Sequence, residues 1–260
     1  MSLKVNNLSA GIGNLRILHD IDLKIEKGTL HVLMGPNGSG KSTFASVLMG
    51  NPKYKRVEKK PYLSLNGKDI SNFEPHERAK CGLFLAFQNP SGIPGVSVAN
   101  LLKTSYQTVQ RSDNTPSKKS AHNPALSVFK FHQELVLTAE RIGVPRDFLG
   151  RSLDGDFSGG EKKKLEMLQA IVLKPKYAVF DEIDTGLDVD ALKTIAGAIL
   201  ELKKKGTGIL VVTHYHRILE YAKPDVVHVL VKGRIVASGG CKLALEIEKN
   251  GYSKWSKSKN

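Results

Sequence analysis

Gly35-Pro36-Asn37-Gly38-Ser39-Gly40-Lys41-Ser42-Thr43 has the residue types and spacing of a loop built to hold phosphate. Glycines let the backbone curl so that successive N–H groups point inward at phosphate oxygens. A helix starting near Lys41 adds the positive end of its dipole. Lys41 then reaches the β- and γ-phosphates of a nucleoside triphosphate, and the Ser42 hydroxyl is a ligand for Mg²⁺. A second reactive group closes an apolar run, where Tyr177-Ala178-Val179-Phe180 delivers Asp181-Glu182. Asp181 suits Mg²⁺, directly or through water. Glu182 suits a general base that orients or deprotonates an attacking water. An acidic turn after a strand is the plainer account of this pair, but the phosphate loop in the same chain outweighs it.

Other residues are ambiguous alone. Ser158-Gly159-Gly160-Glu161 precedes a helical pattern through Leu165, Leu168 and Ile171-Val172. It reads as an N-cap with a capping box, or as a second anion-binding helix terminus. On a lobe apart from the loop at 35–43, such a terminus serves the nucleotide of a neighbouring chain rather than its own. Gln88 follows the apolar residues 82–87, and His214 follows residues 209–213. A lone Gln or His at a strand end is ordinarily structural. Their shared place at the carboxyl edge of a sheet, where open α/β sheets bind ligands, marks both as candidate γ-phosphate contacts.

Positioning these groups takes an α/β core, and the sequence alternates apolar strands with helical patterns accordingly. Strands are expected at 3–8 and 21–25, then at 30–34, where a continuous apolar run indicates burial on both faces. Further strands are expected at 62–65, ending in the turn signal Asn66-Gly67, and at 82–87, 177–180, 209–213 and 226–231. Residues 43–49, 97–110 and 129–142 read as helical. Between the last two, residues 111–124 are polar, contain two prolines and read as an exposed, mobile insertion. The expected division is a catalytic core with a β-subdomain at 1–89 and 158–248, and a helical subdomain at 90–157. A Lys- and Ser-rich tail at 249–260 is expected to fray from Gly251 onward.

Composition sets outer bounds. The 260 residues are 40% hydrophobic and 25% charged, enough for one large domain. No run approaches the roughly 18–20 apolar residues of a membrane helix, and the first residues lack the apolar stretch of a signal peptide. The expectation is a soluble, cytoplasmic chain whose membrane role, if any, would belong to another subunit. Cys81 and Cys241 sit in no metal-binding spacing and read as reduced thiols. The net charge of +14 raises nucleic acid or an acidic partner as a class. The charge is dispersed, though, and no recognition motif accompanies it.

The phosphate loop, Gln88, Ser158-Gly159-Gly160, Asp181-Glu182, Asp188 and His214 occur in that order. Together they resemble the complete motif set of ATP-binding-cassette ATPases. The resemblance implies a RecA-like P-loop NTPase core with an N-terminal antiparallel β-subdomain and an inserted helical subdomain, and it implies ATP and Mg²⁺ as ligands. It implies that Ser158, Gly159 and Gly160 close on ATP held by a second copy of the chain. The implied roles are Mg²⁺ and the attacking water for Gln88, a dimer-interface loop for Asp188 and a γ-phosphate contact for His214. The wording Phe157-Ser-Gly-Gly-Glu-Lys-Lys163, Asp181-Glu-Ile-Asp-Thr-Gly-Leu-Asp188 and Thr213-His-Tyr-His-Arg-Ile-Leu219 is similar to one branch, the SufC-type ATPases of Suf iron–sulfur cluster assembly. That likeness implies SufB- and SufD-like scaffold proteins as partners; the alternative client is a membrane transporter's permease. A nucleic-acid-associated cassette is a third reading, against which stands the single cassette with no added module. The chain departs from the branch at 111–124, lacks an acidic residue in Asn89-Pro90-Ser91-Gly92, and has no tyrosine before the loop where many cassettes stack adenine.

Overall fold

A computed structural model describes residues 1–57, 62–87, 92–112, 124–214 and 217–256, without the side chains of 110–112, 124–127 and 256. The chain opens with a long hairpin, β1 (Ser2–Ile12) and β2 (Leu15–Glu26), paired antiparallel with Leu3 opposite Ile25 and Val5 opposite Leu23. Both strands run further toward the turn than their apolar alternation indicates. Irregular register between Val5 and Gly11 carries the pairing through a stretch whose period is broken. β3 (Leu30–Met34) is wholly buried and leads into α1 (Lys41–Met49). The short β4 (Lys55–Arg56), β5 (Leu63–Leu65) and β6 (Lys68–Asp69) complete an antiparallel sheet around β1.

Next come α2 (Pro75–Lys80) and β7 (Leu83–Ala86), then the helices α3 (Val98–Ser112) and α4 (Pro124–Arg141). Helix therefore reaches into the polar 111–124 segment from both ends. Pro124 suits this place, because proline is tolerated at a first helical position. Residues 113–123, on which the expected mobility mainly falls, lie outside the described residues. A 3-10 turn at Arg146–Gly150 precedes α5 (Gly159–Leu173), followed by β8 (Tyr177–Asp181), α6 (Val189–Lys204) and β9 (Gly208–Val212). The chain then forms α7 (Arg217–Tyr221), β10 (Val226–Val231), β11 (Arg234–Gly239), α8 (Cys241–Asn250) and α9 (Ser253–Ser256). The last helix corrects the expected fraying for residues 251–256, while 257–260 lie outside the described residues. Lys and Ser dominate the text after Gly251, but Tyr252 and Trp255 pack against the core and hold the segment down.

A six-stranded sheet in the order β11-β10-β3-β9-β8-β7 carries the architecture. It is parallel except for the β10–β11 pair. Alternate residues of its strands enter two different cores, as the two-residue period of a strand requires. Leu30, Val32, Ala178, Phe180, Ile209 and Val211 join the core formed with α3 to α6 and α8. Leu33, Tyr177, Val179, Leu210 and Val212 join the core shared with α1 and the antiparallel sheet. Arg78 fastens α2 beneath α1, donating through Nη1 to the carbonyls of Val47 and Leu48. It thereby satisfies acceptors left open at a helix end. Among the described residues no helix is long and apolar enough to cross a membrane.

Candidate active site

The phosphate loop lies where the sequence puts it, between a buried central strand and a helix N-terminus. Gly35 cannot be replaced without a collision: a Cβ there would stand 2.1 Å from the carbonyl oxygen of Leu230. Gly40, which caps α1, has φ 102, a left-handed conformation that glycine adopts without steric penalty. The next residue, Lys41, is buried, and its Nζ donates to Gly35 O at 2.7 Å and Pro36 O at 3.1 Å. Burial lowers its pKa, while the nearby Glu182 and Asp181 pull in the opposite direction.

Strand β8 brings its carboxylates to the same place. Ser42 Oγ donates to Asp181 Oδ1 at 3.3 Å. Burial pushes the Asp181 pKa up to about 6, with the Ser42 hydrogen bond opposing and the neighbouring Glu182 charge adding to the rise. These two hard oxygen donors, one in the first turn of α1 and one at the end of β8, fit a Mg²⁺ ion. Glu182 follows with φ 51, an uncommon value for a residue with a side chain. Its backbone N donates to Val212 O at 2.9 Å, so β9 fixes the strained residue. His214, just past β9, places Nδ1 at 3.3 Å from Glu182 Oε1. The loop, Ser42, Asp181, Glu182 and His214 thus form one cluster at the carboxyl edge of the sheet, while Gln88 lies outside the described residues.

Ser158, Gly159 and Gly160 stand at the start of α5. The capping box is real: Ser158 Oγ accepts from Glu161 N, and Glu161 Oε2 accepts from Ser158 N at 2.7 Å. A Cβ on Gly160 would lie 3.6 Å from Leu187 Cδ2, so this terminus sits beside the turn that ends in Asp188. Asp188 itself caps α6, accepting from Ala191 N at 2.8 Å.

Three contacts around the site escape sequence reasoning. Thr213 Oγ1 donates to Asp184 Oδ2 at 2.7 Å, pinning the turn after Glu182 to the end of β9. The Tyr252 hydroxyl lies close to the backbone of Gly35, which brings the C-terminal segment beside the loop. Glu166 and Lys163 of α5 grip the backbone of Phe87. Only a buried charge on an otherwise apolar helix face hinted at the last. Cys81 and Cys241 are unpaired, and among the described residues no three His, Cys, Asp or Glu side chains gather as a metal cluster.

Comparison with known proteins fits this geometry. The family model for the ABC transporter cassette matches residues 18–185. The chain is 43% identical to a probable ATP-dependent transporter, ycf16, of Antithamnion sp., over 96% of each chain. It is 40% identical to vegetative protein 296 of Bacillus subtilis (strain 168), over 96% of this chain and 92% of that one. Among solved structures it is similar to MJ1267, an ATP-binding cassette of an ABC transporter in its ADP conformation. The TM-score is 0.72 at 26% identity, over 96% of each chain. The chain belongs to the ABC transporter family as an ATP-binding cassette, one that binds ATP and Mg²⁺ and hydrolyses the nucleotide.

Proposed function

We propose that the chain is the ATPase subunit of a Suf-type iron–sulfur cluster assembly complex, working as a pair of cassettes that share two ATP sites. The observation that carries the paired site is that its parts lie at the starts of two different helices. The loop at 35–43, Asp181, Glu182 and His214 form one cluster, and Ser158-Gly159-Gly160 caps a different helix beside Leu187. Two structures of MJ0796, a bacterial ABC transporter cassette of the same fold, are dimers. The Suf assignment is supported by the wording of residues 157–163, 181–188 and 213–219. The names of several relatives favour a transporter instead, so a permease is the rival client.

In the proposed mechanism, the inward N–H groups of the loop and the α1 terminus hold the β- and γ-phosphates. Lys41 exchanges its loop carbonyls for phosphate oxygens. Ser42 and Asp181, with Gln88, would hold Mg²⁺, which would supply charge neutralisation for the transferring phosphoryl group. Glu182 accepts the proton of the attacking water, and the contact from His214 Nδ1 aims its carboxylate. Ser158, Gly159 and Gly160 close the site from the second copy. Asp188 lies in the loop between the two copies. The proposed coupling surface to the client is the loop after Gln88, exposed at residues 92–95, together with the helical lobe at 90–157. The proposed compartment is the cytoplasm. Purifying the tagged chain from native extract tests the client. SufB- and SufD-like scaffold proteins are the expected companions, and recovery of a membrane permease replaces this reading with the transporter one.

A further inference from the structure

Glu166 and Lys163 lie three residues apart on α5 and are nearly closed to solvent, at 3% and 6% exposure. Glu166 Oε1 accepts from the backbone N of Phe87 at 2.7 Å. Lys163 Nζ donates to the Phe87 carbonyl oxygen at 3.3 Å and stands 3.7 Å from Glu166 Oε2. One carboxylate and one ammonium thus take both the donor and the acceptor of a single residue. That residue is the first after β7 and the one directly before Gln88. Backbone groups leaving a sheet edge need partners, and charged partners make the stronger bonds.

A second tether runs beside the first. Leu153 N donates to Val96 O at 2.9 Å, and Val98 N donates to Arg151 O at 3.1 Å. Ser97 and Ser152 pair as a β-bridge. A Cβ on Gly92 would stand 2.7 Å from Asp154 Cα, so the two segments lie in close contact there. Residue 87 is therefore fastened to α5, and residues 92–98 are fastened to the stretch at 151–154 that leads into it.

We propose that Glu166, together with Lys163, is a positioning residue that fixes the Gln88 end of β7 to α5, so that a displacement at Gln88 reaches Ser158-Gly159-Gly160 as a movement of the whole helix. The inference rests on the assignment of Gln88 to the γ-phosphate. Glu166 acts through the Phe87 peptide and not on the nucleotide. Its loss uncouples the two ends of the device while leaving the phosphate loop intact.

The test measures turnover, affinity for a fluorescent ATP analogue and amide exchange at residue 87 in Glu166→Ala, Glu166→Gln and Gln88→Ala chains. In Glu166→Ala, turnover at saturating ATP is expected to fall about tenfold, and Phe87 amide exchange to rise by a similar factor, the scale of one lost buried hydrogen bond. Nucleotide affinity is expected to stay within about twofold, because the loop is untouched. Glu166→Gln retains an oxygen that accepts from Phe87 N, and it is expected to recover most of the turnover and the protection. Normal turnover in Glu166→Ala with impaired turnover in Gln88→Ala overturns the coupling and leaves the role of Gln88 standing. Normal turnover in Gln88→Ala overturns both. Equal losses of turnover and affinity in Glu166→Ala and Glu166→Gln mark general damage and overturn the positioning role as well.

Discussion

Glu166 also gives the fold a pH dependence that a single substitution isolates. Burial pushes its carboxyl from 4.5 up to about 7, against the opposing pull of Lys163 and the Phe87 N–H. Between those pH values the folded chain binds more protons than the unfolded one, so this group's contribution falls as pH rises. The contribution is fully present below about pH 4.5 and lost by about pH 7. An interval of about 2.5 pH units at about 1.4 kcal/mol each amounts to about 3.5 kcal/mol. His228 acts in the opposite sense. Its imidazole is buried beside His31 and held down to about 4, so its contribution rises with pH up to about 6.5. Asp181, raised to about 6, adds a falling contribution of the same sign as that of Glu166. Glu166→Gln removes only the Glu166 part. Urea unfolding followed by circular dichroism, without nucleotide or Mg²⁺, reads the difference between variant and parent from about pH 4.5 to 7.5. The variant is expected to gain about 3.5 kcal/mol relative to the parent across that range. A difference that stays constant with pH refutes the reasoning that this carboxyl is charged at a buried cost.

Glu182→Gln is expected to keep nucleotide binding and lose about 10²–10⁴ in turnover, the usual worth of a general base, measured by phosphate release. Lys41→Ala is expected to weaken binding itself, read by titration with a fluorescent ATP analogue. Gly35→Ala places a methyl 2.1 Å from Leu230 O and is expected to abolish nucleotide binding by displacing the loop; full binding there contradicts the close approach. Ile93→Asp is expected to abolish capture of the client while ATP binding by the isolated chain persists. Ile93 is exposed, whereas Val96 is half-buried with its carbonyl already taken by Leu153 N, which makes Ile93 the cleaner site to change.

What the sequence made legible is what local physics dictates. The wholly buried strands β3, β8 and β9, and the nearly buried β10, read directly from their apolar runs, and the phosphate loop and Asp181-Glu182 read from their place at strand ends. The capping box at Ser158 and Glu161 was equally plain. The hidden contacts depend on residues far apart in the chain. Asp184 meets Thr213, Glu166 meets Phe87, and Tyr252 meets Gly35, all across tertiary packing that no spacing rule encodes. The C-terminal helix was missed for the same reason. Polar composition argued for fraying, and the burial of Tyr252 and Trp255 against the core overrode it.

The central claim is that each ATP is hydrolysed between the loop of one chain and the α5 terminus of another. Lys41→Ala and Ser158→Arg chains, each inactive alone, are mixed in equal amounts and assayed for turnover with the client present. Each mixed pair contains one site in which an intact loop faces an intact Ser158-Gly159-Gly160. Random pairing is therefore expected to restore about a quarter of parental activity. Turnover that stays at the level of the separate variants, or a parental rate that is high and independent of chain concentration, contradicts the shared site.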